Sequence, residues 1–226
     1  MNIFSNKKNN FRQVSYSQSG EDRIVKMIFD GLGINKFTYM DIGAHHPYFI
    51  SNTALFYEMG MNGVNIEPDP VLFKEFEKFR KRDINLNIGI AETSGEADFY
   101  IISASTLNTF SKEEAEGYAK QGNFSIREVK KVKTESLQNI VNNYCNGRFP
   151  DFLTVDAEGI DELIVKSIDF NNNPPLVVCI ETISFSTSGN GVKNTDIIAL
   201  MESNGYLNYA DTNINTIFVR KNAWMR

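Results

Sequence analysis

The sequence predicts an α/β domain: a doubly wound, mostly parallel sheet with an antiparallel hairpin at one edge. Three observations predict it. Short apolar runs alternate with amphipathic runs at helical spacing. Residues 37–51 read as a buried strand, a tight turn containing Gly43 and a helix start, the arrangement that receives a ligand in an open α/β sheet. The chain closes on a strand, helix, strand, strand pattern, which suits an edge hairpin.

Taken in order, residues 1–15 read as a mobile polar arm and 16–33 as a helical lid. Tyr16-Ser-Gln-Ser-Gly-Glu-Asp22 starts the lid helix, which carries Ile24, Met27, Ile28 and Leu32 and ends at the glycines of 31–33. Strand one covers 37–42. The next helix opens at Ser51-Asn52-Thr53, carries Leu55, Phe56 and Met59, and stops at Gly60. Strand two, 63–67, ends in Glu67-Pro-Asp-Pro70, which also begins a helix with Pro70 in its first turn. Leu72, Phe73, Phe76 and Phe79 form the buried stripe of that helix.

Strand three spans 84–90, followed by a hairpin-like run at 97–102 and a polar stretch at 103–110. Residues 111–122 are charged and partly helical, 129–134 alternate like an edge strand, and 137–144 are helical. Strand four, 152–155, runs into Asp156-Ala-Glu-Gly159 and a helix with Leu163, Ile164 and Ile168. Strand five, 176–180, ends at Glu181-Thr182. A Ser/Gly-rich loop, a helix at 195–203 and strands at 206–210 and 215–219 complete the chain. No repeat or linker interrupts the pattern, so residues 1–226 are expected to form a single domain.

Composition narrows the function. With 42% apolar and 23% charged residues in 226, the chain has an ordinary globular make-up and enough length for a large core. No apolar run approaches the roughly 18 residues of a membrane span, and the polar N-terminus has no signal-peptide character. Cys145 and Cys179 are too few for a disulfide framework or a metal knuckle, so a reducing cytoplasm is the expected setting. A net charge of -5 argues against a nucleic-acid partner, and the basic runs at 78–82 and 130–133 read as solvated faces. A homo-oligomer is compatible with these features, which neither require nor forbid one.

The chemistry gathers at Asp41, Glu67, Asp156 and Glu181, and in a turn holding both histidines, His45 and His46. Gly43 and Ala44 lie between strand one and the following helix, where a glycine permits close approach of a ligand and helix amides supply donors. Glu67 follows Gly43 at the offset from which an acidic residue accepts ribose hydroxyls. Its alternative is a charge at a helix N-terminus. The turn lacks the further glycines that a pyrophosphate needs, so Asp41, Gly43 and Glu67 together point to S-adenosylmethionine. A nicotinamide-dependent reductase is the rival enzyme, disfavoured by that single glycine and by the lack of a Tyr-x-x-x-Lys pair. A non-catalytic module that only binds S-adenosylmethionine is the other alternative.

Gln18-Ser-Gly-Glu-Asp22, Asp41-Ile-Gly-Ala-His-His-Pro47, Asn65-Ile-Glu-Pro-Asp-Pro70, Leu153-Thr-Val-Asp-Ala-Glu-Gly159 and Val178-Cys-Ile-Glu-Thr182 resemble, in order, the signatures of the FkbM family of methyltransferases. The resemblance implies a class I, Rossmann-like fold and methyl transfer from S-adenosylmethionine to a hydroxyl of a sugar, nucleotide-sugar or glycan precursor. His45 departs from the family pattern, which more often has Asn there.

Such a reaction needs the acceptor aligned and its proton removed. His46 is a candidate base, with a hydrogen bond to the turn backbone as its other reading. Asp156 and Glu181 are candidate catalytic groups that would together hold Mg²⁺ or another hard divalent cation. Alternatively, Asp156 contacts the donor's amino group or acts as a base without metal. Asn52 and Thr53 contact the donor carboxylate or simply cap a helix. Gln18 and Glu21 are expected to fold over the donor. His45, Ser105, Thr106 and Asn108, with the 184–194 loop, are the expected acceptor contacts.

Overall fold

The computed structural model describes residues 11–157, 159–184 and 191–225. The first part of the chain contains α1 (Glu21–Gly31), β1 (Tyr39–Ile42), α2 (Ala54–Glu58), β2 (Gly63–Ile66), α3 (Pro70–Phe79), β3 (Ile84–Leu86) and β4 (Gly89–Ile90). There follow β5 (Gly95–Ile102), a 3-10 turn (Ser105–Leu107), α4 (Lys112–Lys120), β6 (Ile126–Glu135), α5 (Leu137–Tyr144) and β7 (Phe152–Val155). The last part holds α6 (Asp161–Lys166), β8 (Val177–Glu181), α7 (Thr195–Ser203), β9 (Tyr206–Asp211), β10 (Asn215–Arg220) and α8 (Lys221–Trp224). None of the described helices is long and apolar enough to cross a membrane.

One sheet has seven strands in the order β3-β2-β1-β7-β8-β10-β9. Neighbours from β3 to β8 run parallel, while β10 lies antiparallel to both β8 and β9. The sequence order reverses between β1 and β7, the switch point of a doubly wound sheet, and the closing hairpin occupies one edge as expected. A second sheet, β4-β6-β5, projects from the same region.

The central strands are apolar on both sides because helices cover both sides. Met40, Ile42, Leu153, Val155 and Ile180 meet residues of α5, α6 and α7, including Ile140, Ile164 and Met201. On the opposite face Tyr39, Phe152, Val177 and Cys179 meet Val25, Ile28 and Phe29 of α1 and Phe56 of α2. Phe56 sets its ring edge-on to Phe37 and Phe152, with centroids 4.9 and 5.7 Å apart. Each such pair is worth about 0.5–1.5 kcal/mol beyond its burial. Asp69, Ser111, Ser136 and Asn194 cap α3, α4, α5 and α7 by accepting first-turn N–H groups, at about 1 kcal/mol each.

Several expectations change on folding. The single strand expected at 84–90 divides, because β3 pairs with β2 while β4 pairs with β6 in the other sheet. Asn87, at the break, donates to the carbonyls of Glu67 and Pro68 at 2.8 and 3.0 Å. β6 is central in its sheet and not an edge. In α1 the buried stripe is Val25, Ile28 and Phe29, and Met27 is exposed. Buried Glu21 draws this register inward, since positions 21, 25 and 28–29 share one helical face. In α3 only Phe76 is fully buried, and Phe79 is exposed. The 78–82 run is not uniformly solvated: Arg80 is wholly inside the protein.

Candidate active site

Glu67, Gly43, Asp156 and Glu181 follow or end β2, β1, β7 and β8, four strands adjacent in that order. All four line one cavity of about 450 Å³. Three strand spacings, roughly 14 Å, separate its two carboxylate ends. Ile66, Leu72 and Ile88 supply apolar wall, and Ser105 and Thr106, from the turn after β5, contribute polar groups. The arrangement suits an extended ligand with a hydroxylated, partly apolar part near Glu67 and a reacting part near Asp156.

Gly43 has φ 76, and a β-carbon there would lie 1.7 Å from the Asp156 carbonyl oxygen. The glycine therefore lets the loops after β1 and β7 meet, in addition to lining the cavity. Its own N–H and that of Ala44 donate to the Ile66 carbonyl, each at 3.1 Å, so these two amides hold the sheet. Glu67 is buried and accepts one backbone N–H on each oxygen, from Asp69 at 2.7 Å and from His45 at 2.7 Å. Burial outweighs these two donors and pushes its carboxyl up to about 8. Each oxygen keeps further lone-pair capacity, the geometry a vicinal diol requires.

His45, in left-handed backbone at φ 53, faces the cavity and places Nε2 3.1 Å from Ser105 Oγ. Burial, then the neighbouring His46, lowers its pKa, so the ring is neutral near pH 7. His46 does not line the cavity. Its Nδ1 accepts the N–H groups of Tyr48 and Phe49 at 3.1 and 2.9 Å, the hydrogen bonding to the turn backbone that is the other reading of this residue.

Other expected donor contacts are also engaged within the protein. Asp41 Oδ2 accepts from Thr53 Oγ1 at 2.7 Å, beneath the cavity surface. Burial raises its carboxyl to about 6, against the hydrogen bond from Thr53 and the charge of Arg80. Asn52 Nδ2 donates to Thr154 Oγ1 at 3.0 Å. Thr53 stands at the N-cap of α2 without a side-chain cap bond, Ser51 Oγ accepts from Ala54 N–H at 3.1 Å, and α2 itself has only five residues. Glu21 accepts from Thr212 Oγ1, Ser19 N–H and Asn215 Nδ2 at 2.7, 2.8 and 3.0 Å, tying the lid helix to the closing hairpin instead of to the cavity. Burial alone would raise Glu21, but these bonds hold it below the usual carboxylate value. Gln18 does line the cavity, as do Ser105, Thr106 and Asn108. Asn108 already donates to Asp69 at 3.0 Å and accepts from Ile102 N–H at 2.8 Å, so it bridges two elements of the wall.

Asp156 shares a hydrogen bond with Glu181, and burial followed by the charge of Asp161 raises its carboxyl well above the ordinary range. Among the described residues no group of three His, Cys, Asp or Glu side chains is placed to hold a metal ion. The expected metal site thus finds no support among the described residues; Glu158 and residues 185–190 of the expected acceptor loop lie outside them. Sequence reasoning missed Arg80. The signal available was its spacing to Asp83, three residues on, next to a strand start.

A family model for the methyltransferase FkbM domain matches residues 41–207. No curated protein matches the chain. Among solved structures it is similar to a TehB-like SAM-dependent methyltransferase from Corynebacterium glutamicum, with TM-score 0.44 and 12% identity over 96% of this chain and 94% of that one. It is also similar to the 1,6-didemethyltoxoflavin-N1-methyltransferase of Burkholderia thailandensis, solved with 1,6-didemethyltoxoflavin and S-adenosylhomocysteine. There the TM-score is 0.42 and identity 9%, over 96% of this chain and 83% of that one. The family match extends from β1 into β9 and takes in both carboxylate ends of the cavity, so the chain belongs to the FkbM methyltransferase family, on a class I, Rossmann-like fold.

Proposed function

We propose that this chain, acting as a single domain, transfers a methyl group from S-adenosylmethionine to a hydroxyl oxygen of a sugar, nucleotide-sugar or glycan precursor. The observation that carries the reading is the row Glu67, Gly43 and Asp156 at three adjacent strand ends of one cavity. Family membership favours methyl transfer over the reductase alternative. Two free cysteines, one of them buried, fit a reducing cytoplasm.

The donor supplies a methyl carbon activated by its sulfonium. Glu67 accepts the ribose hydroxyls on the lone pairs left free by its two backbone donors. Asp156 takes the proton that the acceptor oxygen loses as the in-line displacement proceeds, and Glu181 holds Asp156 in place through their shared hydrogen bond. His45 and Ser105, linked at 3.1 Å, and Thr106 orient the acceptor's hydroxyls. Gln18 covers the cavity from the lid segment.

The test begins with calorimetric titration of S-adenosylhomocysteine, then incubates methyl-labelled donor with free sugars, nucleotide-sugars and glycan precursors. Mass spectrometry and NMR would locate the added methyl. Absence of S-adenosylhomocysteine binding removes the donor assignment. Methylation on nitrogen or carbon, or of acceptors without a sugar, removes the finer part of the proposal and leaves the coarser one.

A further inference from the structure

We propose that Arg80 is a positioning residue for the donor site, clamping the 43–53 segment in a backbone shape the segment would not keep unaided; this rests on the donor reading above. The segment enters left-handed backbone three times, at Gly43 (φ 76), His45 (φ 53) and Ile50 (φ 54). Glycine does so at little cost and histidine is found there, but a β-branched isoleucine is an outlier. His45 and Ile50 both line the cavity. Strain at a ligand wall persists only when the surroundings hold it.

Arg80 supplies that hold from beneath. It is the largest fully buried side chain among the described residues. Nη1 donates to the Pro47 carbonyl at 2.9 Å, and Nη2 to Thr53 Oγ1 at 3.1 Å and to Tyr39 Oη at 2.9 Å. Thr53 passes the connection on to Asp41 at 2.7 Å. The guanidinium also stacks over the Tyr57 ring of α2, 4.6 Å from its centroid. One planar cation thus joins the middle of the segment, the start of α2 and the start of β1.

Asp83 fixes the cation itself, accepting Nε at 2.9 Å together with Tyr39 Oη, Gly63 N–H and Asn65 Nδ2. A lysine would not reproduce this, because one ammonium cannot present the guanidinium's spread of donors. Arg80 is not among the cavity-lining residues, so it acts through the segment.

The experiment titrates S-adenosylhomocysteine into the full chain as wild type, Arg80→Lys, Thr53→Val and Thr53→Ser. Amide hydrogen exchange over 44–52 and thermal unfolding are measured beside it. Arg80→Lys and Thr53→Val are expected to weaken binding about tenfold and to speed exchange over 44–52, with Tm still above the titration temperature. Thr53→Ser, which keeps the hydroxyl, is expected to retain wild-type affinity. In turnover assays the donor KM rises in step with the loss of S-adenosylhomocysteine affinity.

A merely structural role would lower Tm without changing the affinity of the folded protein. Thr53→Val binding within about twofold of wild type, with exchange over 44–52 unchanged, overturns the clamp. Should Arg80→Lys fail to fold, the Thr53 pair carries the same test. A wild-type protein that does not bind S-adenosylhomocysteine removes the donor reading and the clamp together. Wild-type binding matched by Thr53→Val removes the clamp alone.

Discussion

The backbone carbonyl oxygen of Asp156 occupies the space that a side chain at position 43 would need: a β-carbon on Gly43 would lie 1.7 Å from it. The glycine is required twice, by that contact and by its φ of 76. Closure of these two strand ends brings Asp156 into the same cavity as Glu67. Gly43→Ala is therefore expected to cost about 2–4 kcal/mol of stability and to abolish S-adenosylhomocysteine binding. Urea denaturation and calorimetry check both, and an alanine variant of wild-type stability would contradict the contact.

Donor binding should depend on pH through Glu67. Burial pushes this carboxyl up to about 8 from an ordinary 4.5, so the ligand-free folded protein holds a proton that the unfolded chain releases. The stability this contributes is complete below pH 4.5 and is lost as pH rises through about 8. A ribose diol donating two hydrogen bonds favours the ionised form, so S-adenosylhomocysteine binding should expel a proton and tighten with pH up to about 8. Glu67→Gln should flatten that dependence and weaken binding about tenfold or more. Titrations in buffers of differing ionisation enthalpy measure the proton directly; a dissociation constant independent of pH would exclude the ribose role.

Asp156→Asn and Glu181→Gln are expected to lower kcat about 10²- to 10⁴-fold while changing S-adenosylhomocysteine affinity little. Since burial and Asp161 raise Asp156, its base form grows as pH rises, and wild-type kcat should climb with pH until that carboxyl is ionised. The proposed proton transfer to Asp156 uses no cation, so a chelator is expected to leave turnover unchanged. Turnover that collapses with chelator and returns with Mg²⁺ would restore the metal route.

His45→Asn separates the two ends of the site. Asparagine tolerates left-handed backbone and keeps the N–H that Glu67 accepts at 2.7 Å, but loses the ring bonded to Ser105. Donor affinity should stay within about threefold while the acceptor KM rises about tenfold. Steady-state kinetics with each substrate varied in turn decides this, and a rise confined to the donor KM would place His45 on the other side.

Much of this protein was legible in one dimension. Apolar runs marked the central strands because both faces of the sheet are covered, and the charges that end those runs marked Glu67, Asp156 and Glu181 as cavity residues. Those signals are local: strand burial and strand termination are written in consecutive residues. The roles of His45 and His46 were not separable that way, because adjacent side chains in one turn are told apart only by what lies across from them. Here those partners are Ser105, 60 residues on, and the turn's own amides. Arg80 looked like one more surface cation until Pro47, 33 residues earlier, and Tyr39 closed around it. Desolvation and hydrogen-bond pairing between distant segments arise only when the chain has folded, so that level of the site belongs to the tertiary structure alone.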